Sequence, residues 1–116
     1  MGDFSYPMTL VGPEGEETVD ALVDTGATFA CAPREVLERI GVQPSRRTRF
    51  TLADGTVSEF DAGTVTARVD GEEAPTMCVF GEPGTQPLMG AITLEALLLT
   101  VDPIDKRLVP RTGNLL

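Results

Sequence analysis

Turn signals break this chain about every ten residues, a spacing that suits only short strands folded back on one another. Gly12–Pro13–Glu14–Gly15–Glu16 puts two glycines and a proline into five residues. Asp54–Gly55 and Asp70–Gly71 are hairpin dipeptides, Gly81–Glu82–Pro83–Gly84 is loop, and Pro103–Ile104–Asp105 is a further reversal. Between these breaks lie candidate strands, Phe4 to Val11, Thr18 to Val23, Arg49 to Leu52, Thr56 to Phe60, Thr64 to Val69 and Thr76 to Phe80, with β-branched residues alternating in Thr18 to Val23 and Thr64 to Val69. Leu88–Met89 is a short apolar run, and Leu99 to Asp102 with Lys106 to Val109 reads as a last hairpin. Two segments have helical spacing. Pro33 to Ile40 carries Val36, Leu37 and Ile40 on one side, with Pro33 suited to the first helical position and Gly41 to the cap. Thr93 to Leu99 spans one or two turns. Asp24 to Ala32 has little period of either kind, and Arg111 to Leu116 reads as a tail. The expectation is an all-β domain of about eight short strands, a sandwich or a closed barrel, with one or two short helices.

The chain has 116 residues, which predicts one domain over 1–116 with a core that needs neither metal nor disulfide staple. There is no histidine, which rules out Ser-His and Cys-His catalysis and any His-ligated metal. No oxygen-ligand spacing reads as a calcium loop, so neither a metal nor another cofactor is expected. Eighteen acidic residues against nine basic ones leave a net charge of −9, a poor match for nucleic acid or anionic lipid. The longest apolar run, Ala96–Leu97–Leu98–Leu99, is too short to span a bilayer. Met1–Gly2–Asp3–Phe4 does not read as a signal peptide, so a cytoplasmic location is expected if the chain is whole. Cys31 and Cys78 read as small apolar residues with reduced thiols. Arg46, Arg47 and Arg49 read as a solvated basic cluster.

The chemistry concentrates in Ala21–Leu22–Val23–Asp24–Thr25–Gly26–Ala27–Thr28. An apolar strand runs directly into a carboxylate, a hydroxyl and a glycine. Glycine allows a tight turn with positive φ, which would set backbone amides and the Thr25 hydroxyl near the Asp24 oxygens and favour the ionised carboxylate. Read by itself, the segment fits equally well a strand closed by an Asx-type turn.

Taken with Leu88–Met89–Gly90 and the helix after it, however, Asp24–Thr25–Gly26–Ala27 resembles the catalytic segment of the retropepsin-like, retroviral-type aspartic proteases. The order of parts agrees from about Thr9 to Val109: hairpin, Asp-Thr-Gly-Ala, flap hairpin at Asp54–Gly55, second hairpin, apolar-apolar-Gly, helix. The helix at Pro33 to Ile40 and the ending Val101–Asp102–Pro103 look more like cellular and bacterial members than retroviral ones. Ala91 follows Gly90 where retroviral members usually carry arginine. Arg111 to Leu116, with Gly113 and Asn114, makes a poor interface strand.

The resemblance implies a closed β-barrel of the acid protease type and an aspartic endopeptidase acting on an extended peptide. It implies a homodimer, because each subunit supplies one Asp-Thr-Gly. Asp24, Thr25 and Gly26 would form the catalytic loop. Ala27, Thr28 and Met89 would line the substrate site under a flap formed by Leu52, Ala53, Asp54, Gly55 and Thr56. Two readings compete with it: a catalytically inactive dimeric peptide-binding or scaffold domain with the same fold, and an unrelated β-sandwich in which Asp24 serves only the turn.

Two copies would bring twice the charge of −9 into one particle. Protonating carboxylates relieves that repulsion. Self-association at low salt is therefore expected to be tighter at pH 5 than at pH 8 by sedimentation equilibrium. An association constant that stays level across this range would refute the charge argument.

Overall fold

The computed structural model describes residues 4–115. In chain order the elements are β1 (Ser5–Gly12), β2 (Gly15–Val23), β3 (Ala30–Pro33), α1 (Arg34–Arg39), β4 (Arg46–Thr51) and β5 (Val57–Val69). They are followed by β6 (Glu72–Gly81), β7 (Leu88–Met89), α2 (Ala91–Ala96), β8 (Leu99–Asp102) and β9 (Arg107–Pro110).

One sheet of seven strands carries the fold, in the order β1-β2-β7-β3-β6-β5-β4. It also closes on itself. Thr9, Leu10 and Val11 of β1 pair with Arg68, Ala67 and Thr66 of β5 while β1 remains paired with β2. The ring β1-β2-β7-β3-β6-β5 therefore has no free edge, which is how small β domains avoid an exposed ladder. β4 stands outside the ring, held only by the first half of β5 from Arg46↔Ala62 to Thr51↔Val57. β8 and β9 form a separate two-stranded ribbon.

Alternation explains what fills the ring. Met8 and Leu10 of β1, Val19, Ala21 and Val23 of β2, and Val65, Ala67 and Val69 of β5 point inward at every second position and are buried. Leu37 and Ile40 from the α1 region and Leu94 and Leu97 from the α2 region add to the same core. α1 stops in a complete Schellman motif: the Val42 N–H donates to the Leu37 carbonyl (3.0 Å) and the Gly41 N–H to that of Glu38 (3.1 Å). Gly41 sits at φ +82°, the left-handed value the cap requires. Asp70 and Gly71, both at positive φ, form the primed turn expected between β5 and β6.

The structure corrects the sequence reading in several places: α2 covers Ala91–Ala96 rather than Thr93 to Leu99, and β4 begins at Arg46 rather than Arg49. Pro33 ends β3 and precedes the helix; Arg34 takes the first helical position. β3 itself was not anticipated. Its four residues, Ala-Cys-Ala-Pro, have weak strand preference and become a strand only because β6 and β7 pair with them on either side. The expected break between Phe60 and Thr64 does not occur, since β5 runs unbroken for 13 residues. Gly63 lies in its middle because a Cβ there would come within 2.6 Å of the Gln43 carbonyl oxygen. That glycine marks close backbone approach, not a turn. The described residues thus form nine strands rather than about eight.

The basic cluster lies on β4, where Arg47 is ion-paired to Asp61 (3.1 Å) and Glu59 (3.3 Å). Both cysteines are free thiols. Asp102 accepts hydrogen bonds from the Ile104 and Asp105 N–H groups and so holds the β8–β9 turn.

One buried polar contact ties α2 to the ring: the Thr76 and Thr93 hydroxyls lie 3.0 Å apart, both out of solvent. Thr93→Val leaves the Thr76 hydroxyl without its partner and is expected to cost about 1–3 kcal/mol in urea unfolding. The Thr76→Val/Thr93→Val double variant should cost less than Thr93→Val alone, because no orphaned hydroxyl remains. A double variant as unstable as the sum of the singles would show that the hydroxyl pair does not matter.

Candidate active site

β2 ends in the apolar residues Ala21, Leu22 and Val23, and its backbone is held from both flanks. The Leu22 N–H donates to the Pro87 carbonyl (2.8 Å), Val23 to that of Phe4 (2.9 Å) and Asp24 to that of Met89 (3.0 Å). Asp24 therefore leaves a strand that has no freedom to slide. Its side chain is half-buried. The next residues fold back onto it: the Gly26 N–H donates to Asp24 Oδ1 (2.9 Å) and the Ala27 N–H to the Asp24 carbonyl (3.1 Å). This is an Asx turn, and it orients the carboxylate.

Two local expectations need revision. Gly26 is not in the left-handed region. A glycine fits because a Cβ would lie 3.2 Å from Asp24 Oδ1, crowding the carboxylate. Thr25 is solvent-exposed, and the donor on the carboxylate is the Gly26 amide rather than the Thr25 hydroxyl.

β7 is the second half of the arrangement. Leu88 and Met89 run parallel to Leu22 and Val23, and Leu88 also pairs antiparallel with Cys31. Gly90 then passes so close to the loop that a Cβ would sit 2.5 Å from the Phe29 carbonyl oxygen and 2.8 Å from that of Ala27. The first amides of α2 complete the clamp: the Ala91 N–H donates to the Ala27 carbonyl (2.8 Å) and Ile92 to that of Thr28 (3.1 Å). Amides that an isolated helix would leave unpaired thus hold the loop that follows Asp24.

A groove of about 750 Å³ opens beside this loop. Gly26, Ala27, Thr28 and Phe29 form one side. Phe50, Thr51, Leu52 and Phe60 of the β4–β5 hairpin form another, and Val79 and Leu88 add apolar wall. Phe29 meets Phe50 edge-on with centroids 5.5 Å apart, and Phe50 lies 6.4 Å from Phe60. This aromatic chain couples the Asp24 loop to the hairpin. The thiol of Cys31 also borders the groove; burial pushes its pKa up to about 11, so it is an uncharged part of the wall.

The sequence-derived candidates divide into groups. Ala27, Thr28 and Leu52 border the groove, with Gly26 beside them. Ala53, Asp54, Gly55 and Thr56 form the exposed hairpin tip and do not line it. The Asp54 carboxylate turns back on its own hairpin, accepting from the Thr56 hydroxyl (2.6 Å) and the Thr56 N–H (3.0 Å). The hydroxyl first, and then the amide, hold its pKa below the usual carboxylate value. Met89 is a correction. It is fully buried in the core, and its neighbour Leu88 faces the groove, because successive strand residues point to opposite sides. Phe29, Phe50 and Phe60 were missed. The available signal was that a chain with only five phenylalanines puts two of them in the strands flanking Asp54–Gly55. Among the described residues, no three His, Cys, Asp or Glu side chains gather in a metal-holding cluster. No helix there is long and apolar enough to cross a membrane.

This geometry agrees with comparisons to known proteins. The sequence pattern of the aspartyl protease family matches residues 8–91, and the chain belongs to that family. No curated relative matches the sequence. The solution structure of the simian foamy virus (mac) protease superposes with a TM-score of 0.55 at 18% identity, over 78% of this chain and 91% of that one. The crystal structure of the prototype foamy virus protease–reverse transcriptase gives a TM-score of 0.55 at 21% identity, over 88% of this chain but 13% of that longer one. The fold is therefore the retropepsin-like, mainly β fold of retroviral-type proteases.

The clamp at Gly90 makes a direct prediction. Gly90→Ala drives a methyl group into two backbone carbonyls and is expected to cost about 2 kcal/mol or more in denaturant unfolding. It should also move the amide resonances of residues 27–29. A variant as stable as the parent, with those resonances unchanged, would contradict the close approach.

Proposed function

We propose that the protein is an aspartic endopeptidase that works as a homodimer, with Asp24 of each subunit as the catalytic carboxylate. The observation that carries this reading is the clamped Asp24 loop at the edge of an apolar groove roofed in part by the β4–β5 hairpin. Peptide hydrolysis at neutral or mildly acidic pH needs one group to take a proton from water and another to give one to the scissile carbonyl. A lone Asp24 supplies one carboxylate. A second copy related by a two-fold axis supplies the other, and two carboxylates in contact cannot both ionise, so the pair holds one proton.

The ionised Asp24 takes a proton from the attacking water as the new C–O bond forms. The protonated Asp24 donates to the carbonyl oxygen as charge develops there. Collapse of the tetrahedral species breaks the C–N bond, with a proton passing to the leaving nitrogen. The apparent pKa values belong to the pair. The exposed Thr25 of each loop would brace its counterpart, and the Gly26 backbone would run beside the peptide. The hairpin tip from Leu52 to Thr56 would act as a flap, closing over an extended peptide and adding backbone hydrogen bonds. Leu52 is 40% exposed, an apolar side chain that closure onto substrate would cover.

The alternative, a dimeric peptide-binding domain without turnover, uses the same groove. Cleavage of a diverse peptide library from pH 4 to pH 7, read by mass spectrometry, separates the two. Asp24→Asn is expected to lower every cut by at least about 10³-fold, the scale of a lost general acid–base group. Cuts that persist in Asp24→Asn would refute the assignment of the catalytic carboxylate. Binding of peptides without any cut by the parent protein would favour the binding domain.

A further inference from the structure

We propose that Phe29 is a positioning residue: through its contact with Phe50 it sets where the β4–β5 hairpin stands over the groove, and so how a peptide is seated against Asp24. This rests on the reading of the groove and the hairpin given above.

The backbone leaves the hairpin's place across the groove undecided. β4 is paired along one edge only, to β5, and that ladder ends at Thr51↔Val57. Beyond it the tip bonds to itself: the Leu52 N–H donates to the Thr56 carbonyl (2.7 Å) and the Gly55 N–H to the Leu52 carbonyl (2.9 Å). Among the described residues, no backbone hydrogen bond runs from residues 45–56 to the loop 24–29. A two-stranded hairpin has little stability of its own, so side chains decide where it rests.

Two side-chain contacts reach across from β4, and both end on Phe29. The Phe50 ring meets it edge-on, with centroids 5.5 Å apart and planes at 77°. The Arg46 guanidinium lies 5.9 Å from the centroid of the same ring. Arg46 forms no ion pair among the described residues, which leaves its guanidinium to the ring. Arg46 and Phe50 stand at even spacing on one strand and so share a face of β4. One ring therefore meets both ends of that strand. Phe60 backs Phe50 from β5, with centroids 6.4 Å apart.

Phe29 suits this task because its own backbone is fixed on both sides. The Ala27 and Thr28 carbonyls are held by α2 amides, the Phe29 carbonyl packs against Gly90, and Ala30 pairs with Cys78 of β6. The ring is a post on the Asp24 loop, and the hairpin that leans on it takes its place from that loop. An edge-to-face pair favours the placed hairpin by about threefold to tenfold. A peptide under a displaced hairpin still covers the groove, but its scissile bond is out of line with Asp24. A shift of about 1 Å there costs about 10²-fold in turnover. The loss therefore falls on kcat. A ring that served only as groove wall would show its loss in KM.

Phe29→Leu keeps apolar bulk and removes the ring. On one peptide that the parent cleaves, it is expected to lower kcat by about tenfold while KM stays within about twofold. Phe29→Tyr restores a ring and should recover most of that kcat. Phe50→Leu should match Phe29→Leu, and the double variant should lose no more than either single, because one contact is removed in all three. Circular dichroism and urea unfolding would verify that each variant folds. A change confined to KM would overturn the proposal, as would losses that multiply in the double variant.

NMR of the peptide-free protein gives a readout independent of turnover. In Phe29→Leu the amide resonances of residues 51–57 are expected to shift or broaden, and those in Phe29→Tyr to return toward the parent. Resonances of the hairpin that ignore the loss of the ring would overturn the proposal even if peptides are cut. A hairpin that responds, in a parent that cuts no peptide, would uphold Phe29 as the hairpin's support and reject the protease reading. Neither response nor cleavage would reject both.

Discussion

Leu88 and Met89 are wedged between β2 and β3, parallel to one and antiparallel to the other, and the Asp24 loop hangs from that wedge. A two-residue strand has no stability of its own. It exists because both neighbours already offer unpaired backbone groups, and it satisfies them. Once seated, it carries Gly90 beneath the loop and directs the first amides of α2 at the Ala27 and Thr28 carbonyls. Removing the wedge would free the loop on the side where the Asp24 N–H is bound to the Met89 carbonyl.

Ring closure supplies the rigidity behind that contact. β1 pairs on both sides, to β2 and to β5, so the strand leading to Asp24 belongs to a continuous hydrogen-bonded circle. β5 serves two ends of the molecule. Its later residues complete the ring through β6 and β1, while its first residues extend outward to hold β4. The hairpin is therefore anchored at its base in the ring and exposed at its tip, and the Phe29–Phe50–Phe60 contacts join it to the loop after Asp24.

The charge excess is distributed rather than neutralised. Arg39 grips Glu17 through two hydrogen bonds, and Arg68 bridges Glu16 and Glu73, which ties neighbouring strands and α1 together on the outside of the ring. Exposed pairs of this kind add little stability each. Their consequence is positional: they fix α1 against β2, and β2 against β5 and β6.

Much of this was legible in the amino-acid order. Hairpin dipeptides set the reversals, alternation set the inward faces of β1, β2 and β5, and an apolar strand ending in Asp24–Thr25–Gly26 marked the turn that closes on the Asp24 carboxylate. These are local properties, decided by φ preference and the two-residue period of a strand. What depended on distant partners was not legible. Ala30–Pro33 became a strand only through pairing with residues 48 and 57 positions further along the chain. Gly63 looked like a break but answers to the Gln43 carbonyl. Which of Leu88 and Met89 faces the groove was set by the register of β7, since a shift of one residue exchanges the two faces. The groove's aromatic wall arises where the loop after Asp24 and the β4–β5 hairpin converge. No single segment carries it, because burial is a property of surfaces that only tertiary packing brings together.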